Sequence, residues 1–146
     1  MAYSSYKDLI GTSSENDVIE LTDDNCDGTA DTDVVTEAIS KADALIDSYV
    51  SGRYRVPLQP VPTVIGDISA QLAIHFLWER RHRQNMPQSL MEIYKNLIAR
   101  LKQIHEGVID LPAEKIGGGS ASGNGPAYCN KTKADRIFPW SELKKW

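Results

Sequence analysis

The chain is poor in cysteine, in long hydrophobic runs and, over its first third, in positive charge. Its two cysteines, Cys26 and Cys129, occur among 146 residues and lie in no CxxC or Cys/His cluster. That scarcity excludes a disulfide scaffold and a structural zinc site. No stretch approaches the roughly 18 consecutive apolar residues of a membrane span, and residues 1–10 lack the apolar core of a signal peptide. We therefore expect neither membrane insertion nor secretion by the usual route.

Charge is distributed unevenly along the chain, whose net charge is -4. Residues 1–50 contain 12 acidic residues, two lysines and no arginine, whereas residues 51–146 contain 14 basic and 8 acidic residues. One interpretation is that the two halves pair head-to-tail between copies or face different partners. The other is that both sets of charges are simply solvated. The acidic overall balance argues against a dedicated nucleic-acid-binding protein.

Apolar residues recur with a helical period through most of residues 1–111. Two short helices are expected, over residues 6–10 after Ser4 or Ser5 and over residues 14–21 after Ser14. Three longer helices are expected: one that begins at Thr32, one from Pro62 to about Arg81, and one after the interruption at residues 85–87, with its apolar stripe from Leu90 to Ile104. Thr32 is expected to cap the first of them and Gly52 to end it, because glycine accepts a left-handed conformation. Gly107 follows the third. The second is apolar on more than one face, which predicts a central helix.

The predicted fold class is all-α: a small helical bundle of three main helices plus short N-terminal helices, with an extended C-terminal arm. Residues 1–111 form the helical domain, residues 112–127 a Gly/Ser-rich linker, and residues 128–146 an aromatic and basic arm. A disordered tail rarely carries two tryptophans and a phenylalanine. The arm therefore either folds back on its own domain or docks on another subunit or protein. Its expected contact residues are Arg136, Ile137, Phe138, Trp140, Leu143 and Trp146.

The segment from Asp23 to Asp31 matches D-x-N-x-D-G, the opening of an EF-hand-type calcium loop. Oxygen ligands at alternate positions and a glycine turn can wrap a Ca²⁺ ion. The candidate ligands are Asp23, Asn25, Asp27, Thr29 and Asp31. Val34 replaces the bidentate glutamate at the twelfth position, so the expected Kd is weak, about 10⁻⁴ to 10⁻³ M. The alternative is an acidic turn in which Asp and Asn side chains bond their own backbone.

A short basic run, Arg80, Arg81 and Arg83, lies at the end of the second long helix. Three interpretations stay open. The arginines complement the helix dipole, contact an acidic patch on a neighbouring protein, or contact DNA phosphates along a channel.

Signals of catalysis are weak. His75, Glu79 and His82 share one helix, but a di-iron carboxylate site needs a second Glu-x-x-His and further glutamates on facing helices. His75 and His82 lie two turns apart, about 10 Å along the axis, too far to share one metal. A partly buried His75 with its hydrogen bonds satisfied and an exposed His82 are the simpler expectation. No nucleophile elbow, P-loop or dinucleotide fingerprint occurs in a workable context, so we expect no enzyme.

Four segments together resemble a known family. They are Met1-Ala2-Tyr3 with Leu9-Ile10; residues 20–28; residues 42–62, with the pattern Asp-x-Tyr-x-x-Gly-Arg-Tyr before a Pro-x-Pro segment; and the arginine-rich helix end. The chain is similar in these segments to the Mu-like phage and prophage family of small head–tail connector proteins. Residues 136–143 are also similar to that family's closing motif, whereas the linker is longer than the family's.

The resemblance implies a non-enzymatic adaptor of the virion neck, assembled in the bacterial host cytoplasm. It implies a homo-oligomeric ring, typically twelve-fold, that binds the portal protein and a neck, stopper or tail-completion protein. Genomic DNA would pass through its channel without sequence specificity, and no membrane is involved. The alternative function is a small calcium-binding helical interaction or regulatory module centred on the Asp23–Asp31 loop.

Overall fold

The computed structural model describes residues 2–82 and 85–116 of the chain. These residues contain five helices and one isolated antiparallel bridge, between Tyr54 and Lys115. The helices are α1 (Tyr6–Thr12), α2 (Glu15–Thr22), α3 (Thr32–Val50), α4 (Thr63–Arg81) and α5 (Gln88–Glu106). The predicted all-α class, with three long and two short helices, is confirmed. Arg83, most of the predicted linker (117–127) and the arm (128–146) lie outside the described residues.

Serine residues begin the first two helices, as predicted, and in each helix an aspartate three residues later bonds back to the serine. The Ser14 Oγ accepts a hydrogen bond from the Asp17 N–H at 3.2 Å, and the Asp17 carboxylate accepts one from the Ser14 N–H at 3.3 Å. At α1 the Asp8 carboxylate accepts from the Ser5 N–H at 2.8 Å. Such reciprocal pairs satisfy backbone donors that a helix N-terminus leaves without an intrahelical partner.

Two predictions about α3 are corrected by the structure. Asp31, and not Thr32, occupies the N-cap position, so Thr32 is the first helical residue. The helix ends at Val50, and Gly52 is not among the described residues with positive φ. A right-handed turn suffices there, because the N–H groups of Arg53 and Tyr54 donate to the Val50 carbonyl at 3.0 and 2.9 Å. The prediction for Gly107 is confirmed: it ends α5 with φ of 84°.

The core lies between α3 and α4, which form the most extensive helix pair, and α4 is buried on several sides as predicted. Ile46, Ile65 and Leu72 are fully buried there. Each contributes about 1.5–3 kcal/mol of hydrophobic stabilisation relative to an exposed position. α1 and α2 pack on α4, whereas α5 packs on α3 and α4 through a narrow stripe of Leu97, Leu101 and Ile104.

Tyr3 ties the N-terminal segment to the bundle. Its backbone N–H donates to the buried Asp43 carboxylate at 3.0 Å, and its hydroxyl donates to the Asp47 carboxylate. The same hydroxyl accepts from the Leu58 N–H at 3.0 Å. The Ser69 hydroxyl donates to the other Asp43 oxygen at 2.6 Å. These bonds fix the chain start against α3, α4 and the proline-rich connection between them.

A second set of hydrogen bonds joins the C-terminal end of α3 to the segment that follows α5. The Tyr54 hydroxyl accepts from the Leu111 N–H at 2.8 Å and donates to the Asp110 carboxylate at 3.3 Å. The Arg53 guanidinium donates to the same carboxylate at 3.3 Å and to the Ile104 carbonyl at 3.2 Å. Residues 114–116, at the start of the predicted linker, hydrogen-bond to residues 53–55. The folded unit therefore includes the chain up to residue 116.

Candidate functional site

The Asp23–Asp31 loop connects α2 to α3 and is organised by its own carboxylates. The Asp23 carboxylate accepts from the N–H groups of Asp27 and Gly28 at 3.2 and 2.9 Å. The Asp27 carboxylate accepts from the Thr29 N–H at 2.8 Å and from its hydroxyl at 2.7 Å. These bonds, above all the one from the Thr29 side chain, lower the pKa of Asp27 below its usual value. Gly28 takes φ of 78°, a conformation that favours glycine.

Two other candidate calcium ligands, Asn25 and Asp31, contact each other across the loop. The Asn25 side-chain amide donates to the Asp31 carboxylate at 3.3 Å, and the Asp24 N–H donates to its other oxygen at 3.3 Å. Within residues 2–82 and 85–116, no group of three or more His, Cys, Asp or Glu side chains is arranged to hold a metal ion. The loop therefore has the form of an Asx-type turn, and calcium binding stays a prediction.

Asp24 joins the acidic loop to the arginine run, a contact that the sequence analysis missed. Arg80 binds its carboxylate with both terminal nitrogens, at 2.8 and 2.9 Å, and Arg81 adds a third bond at 3.1 Å. The same arginines also donate to the carbonyls of Leu21 at 3.2 Å and Asp23 at 2.9 Å. We call Asp24, Arg80 and Arg81 the loop clasp.

In the loop clasp, Arg80 binds the Asp24 carboxylate in the charge-assisted, bidentate geometry that arginine forms with carboxylates. Hydrogen bonding from Arg80 lowers the pKa of Asp24, and the same bond raises that of Arg80. Both arginines thus bind within their own chain, and any contact with DNA phosphates or with a neighbour would be made by the guanidinium N–H groups that these bonds leave exposed. The only sign of this contact in the sequence is that the loop is acidic and the helix end is basic. Opposite charge does not say which carboxylate pairs with which arginine.

His75 faces α5 and not a catalytic partner. Its ring stacks on Tyr94, with centroids 4.3 Å apart, and its buried Nδ1 has no hydrogen-bond partner among the described residues. Burial lowers the pKa of His75, opposed only by the nearby Glu79 carboxylate. His82 lies against Trp78, with ring centroids 5.1 Å apart. His75 is therefore partly buried as expected but its Nδ1 is unsatisfied among the described residues, and His82 is half-buried and not exposed. Within the described ranges, neither histidine belongs with Glu79 to a group of His, Cys, Asp or Glu side chains arranged to hold a metal ion.

A cavity of about 230 Å³ lies between the start of α1 and the start of α3. We call it the α1–α3 groove. Its lining residues are Tyr6, Ala30, Thr32, Val35, Thr36 and Ile39. Sequence reasoning missed it because Val35 and Ile39 follow the helical period and could be assigned only to the core.

The remaining candidate site residues cannot be placed. Arg83 lies outside the described residues, and so do the arm contacts predicted from the sequence. Those arm residues are Arg136, Ile137, Phe138, Trp140, Leu143 and Trp146. Their roles stay predictions.

The segment that carries the family resemblance, residues 42–62, is structural in this fold. Asp43 and Asp47 hold Tyr3, whereas Arg53 and Tyr54 hold Asp110. The residues of this pattern therefore hold distant parts of the chain together.

Comparison with known proteins decides the family. The family model described as Bacteriophage Mu, Gp36 matches residues 3–127. The chain belongs to the Mu gp36 family of phage proteins. The Mu-like prophage FluMu protein gp36 of Haemophilus influenzae is 35% identical over 77 residues, which are 53% of this chain and 52% of that protein. The chain thus spans about half the length of the curated relative that it matches.

Membership of the Mu gp36 family confirms the resemblance found in the sequence. The matching family and the curated relative are a phage and a prophage protein by their descriptions. Over residues 2–82 and 85–116, no helix has both the length and the apolar character to cross a bilayer.

Proposed function

We propose that this Mu gp36 family protein is a head-to-tail connector subunit, or adaptor, of a phage virion. Copies form a ring, twelve-fold to match the portal, between the portal protein and a neck, stopper or tail-completion protein. Genomic DNA passes through the ring without sequence-specific contacts. The subunit is made in the bacterial cytoplasm and ends in the virion neck. The observation that carries this proposal is the family match over residues 3–127.

The architecture of the bundle supports ring formation. A ring subunit needs two different faces that meet between neighbours and close by rotation. α1 and α2 pack on α4, whereas α5 packs on α3 and α4, so these elements present different surfaces. Residues 1–50 carry a net charge of -10 and the remainder one of +6. Opposite charge on different parts of one subunit favours head-to-tail association over pairing of identical faces.

The arm is proposed to attach the subunit to the portal or to an adjacent copy. Its aromatic residues Phe138, Trp140 and Trp146 are of the type that dominates binding energy at interfaces. Deleting residues 128–146 should abolish attachment and leave the helical domain folded. A sharper variant replaces Trp140 and Trp146 with alanine, with Ser141→Ala as the matched control. Full assembly of the tryptophan variant into particles would contradict a role for the arm.

Native mass spectrometry tests the connector proposal directly. The full chain is measured alone and with its candidate portal, in calcium and then in EDTA. A closed oligomer, or a portal complex with matching copy number, is the expected result. A chain that stays monomeric alone and with the portal contradicts the proposal.

The second candidate function is a small calcium-binding helical interaction or regulatory module. It is favoured by the D-x-N-x-D-G spacing together with Gly28, whose φ of 78° gives the tight turn that such a loop requires. In that case the same measurement detects a monomer that retains Ca²⁺, loses it in EDTA and ignores the portal. Calcium retained within a ring would instead make the loop a structural clip of the connector.

A further inference from the structure

The α1–α3 groove is an apolar cavity with an open, acidic continuation. Val35 and Ile39 form its floor, and the ring of Tyr6, 37% exposed, forms part of its rim. A neighbouring cleft shares Thr36 and Ile39 with it and extends along α3 to Asp43 and Asp47. The cavity of about 230 Å³ has room for a large side chain, and the cleft for the chain that carries it.

The α3 helix beside the groove carries a stripe of aspartates that form no ion pair among the described residues. Asp33, Asp43 and Asp47 follow one stripe of α3 through Thr36 and Ser40, because residues three or four apart share a helix face. Among the described residues, none of these three aspartates forms an ion pair with lysine or arginine. Residues 1–116 carry a net charge of -7 in total. An occupant of the groove should therefore be cationic as well as aromatic.

The C-terminal arm has both properties. Residues 128–146 contain five basic and two acidic residues, together with Phe138, Trp140 and Trp146. Aromatic side chains fill apolar pockets at low entropic cost, and complementary charge speeds and orients docking. The arm is therefore the segment of this chain whose composition best complements the groove.

The linker is long enough to deliver the arm. Ile116 hydrogen-bonds to Arg53, just beyond the end of α3. The groove lies about 15 residues back along that helix, or about 22 Å at 1.5 Å per residue. Residues 117–127 span up to about 36 Å when extended, and about 18 Å on average as a Gly/Ser-rich coil. The first arm residues reach the cleft within this range, and the aromatic residues follow ten or more positions later.

We infer that the α1–α3 groove binds the aromatic C-terminal arm, residues 128–146. In the isolated chain the occupant is the arm of the same copy, because tethering gives it an effective concentration in the millimolar range. The inference goes beyond the connector proposal and does not depend on ring formation. It assigns a receptor surface for the arm on the subunit itself.

Tryptophan fluorescence of the full chain tests the contact. In a Trp78→Phe background, the remaining tryptophans, Trp140 and Trp146, both lie in the arm. We expect them to be protected from acrylamide quenching, and Thr36→Arg to raise the quenching constant to that of the free peptide 128–146. Thr12→Arg is the matched control, since Thr12 is also exposed on a helix and its hydroxyl bonds the carbonyl four residues back, as that of Thr36 does. Equal quenching in all three proteins and the peptide would overturn the inference.

Photo-cross-linking gives a second measurement that needs no destabilising variant. A benzoylphenylalanine at Tyr6 should cross-link to residues 137–146, and one at Ile93, exposed on α5, should not. Mixing light and heavy chains reports whether the arm belongs to the same copy. Cross-links from Tyr6 no stronger than those from Ile93 would refute the inference. If native mass spectrometry shows rings but the Tyr6 cross-link is absent, the connector proposal holds and only the inference about the groove and the arm is refuted.

Discussion

Replacing Tyr3 with phenylalanine tests how the N-terminal segment is held. Tyr3 is 6% exposed, and its hydroxyl donates to the Asp47 carboxylate and accepts from the Leu58 N–H. The variant keeps the ring but leaves the Leu58 N–H buried without a partner, which costs about 1–3 kcal/mol. With the lost charge-assisted bond, we expect a decrease of about 2–4 kcal/mol in the free energy of unfolding. A domain of this size has about 5–15 kcal/mol in total.

The pH dependence of the same variant provides an independent check. Burial, together with the bond to Asp47, raises the pKa of Tyr3 to about 12 from the ordinary 10.0. The folded state therefore favours the neutral phenol, so its stabilisation is complete below pH 10 and is lost as the pH rises towards 12. Wild-type protein should lose roughly 2 kcal/mol more than Tyr3→Phe over that interval.

Urea unfolding followed by circular dichroism, at pH 7 and at steps between pH 9 and 12, measures both effects. Tyr49→Phe is the control, because Tyr49 is half-buried on α3 and its hydroxyl has no hydrogen bond to the described residues. If Tyr3→Phe unfolds at the same urea concentration as wild type and with the same alkaline slope, the reasoning is refuted.

Three further predictions concern other local features. Gly107→Ala should cost about 1–2 kcal/mol in thermal unfolding because of its positive φ, and because a Cβ there would lie 1.9 Å from the Arg53 guanidinium. Gly11→Ala, with open space around it, should instead stabilise; equal effects would contradict this. Asp24→Asn should weaken protection of the loop from hydrogen exchange at pH 7. The difference from wild type should narrow only as the pH falls below the ordinary carboxyl pKa of 3.8 and disappear once the pH is below the depressed pKa of Asp24; equal protection at pH 7 would contradict this. His75→Phe should remove a loss of stability below pH 6.5, since the lowered pKa disfavours protonation in the folded state; an unchanged acid slope would refute it.

The helices could be predicted because their signals are local. Apolar residues at a period of 3.6 predicted the three long helices, serine caps predicted the two short ones, and Ser14 and Gly107 marked ends that the structure confirms. Pro62 was expected to be the first helical residue of α4 and is instead its N-cap. The exact ends of the helices were harder to predict, because more than one residue can end or cap a helix. Gly52 was expected to be left-handed, but the turn after Val50 closes without that conformation.

The sequence also determined the family, since the ordered pattern around residues 42–62 is specific enough to be recognised without coordinates. It did not reveal what the pattern does. Asp43 and Asp47 hold Tyr3, about 40 residues away along the chain. A hydrogen bond between such distant residues leaves no periodic trace in the sequence, because only folding brings its two ends together.

Only the tertiary structure decided how the charged elements are paired. The acidic loop and the arginine run were each visible as a sequence feature, and each allowed several partners. The ion pair between Asp24 and Arg80 depends on the packing of α2 against α4. This packing brings the two side chains, 56 positions apart in the sequence, to 2.8 Å from each other. The α1–α3 groove depends likewise on how two helices meet. Composition and periodicity determine which surfaces a helix can bury, whereas the packing of helices determines which charges and cavities come to face one another.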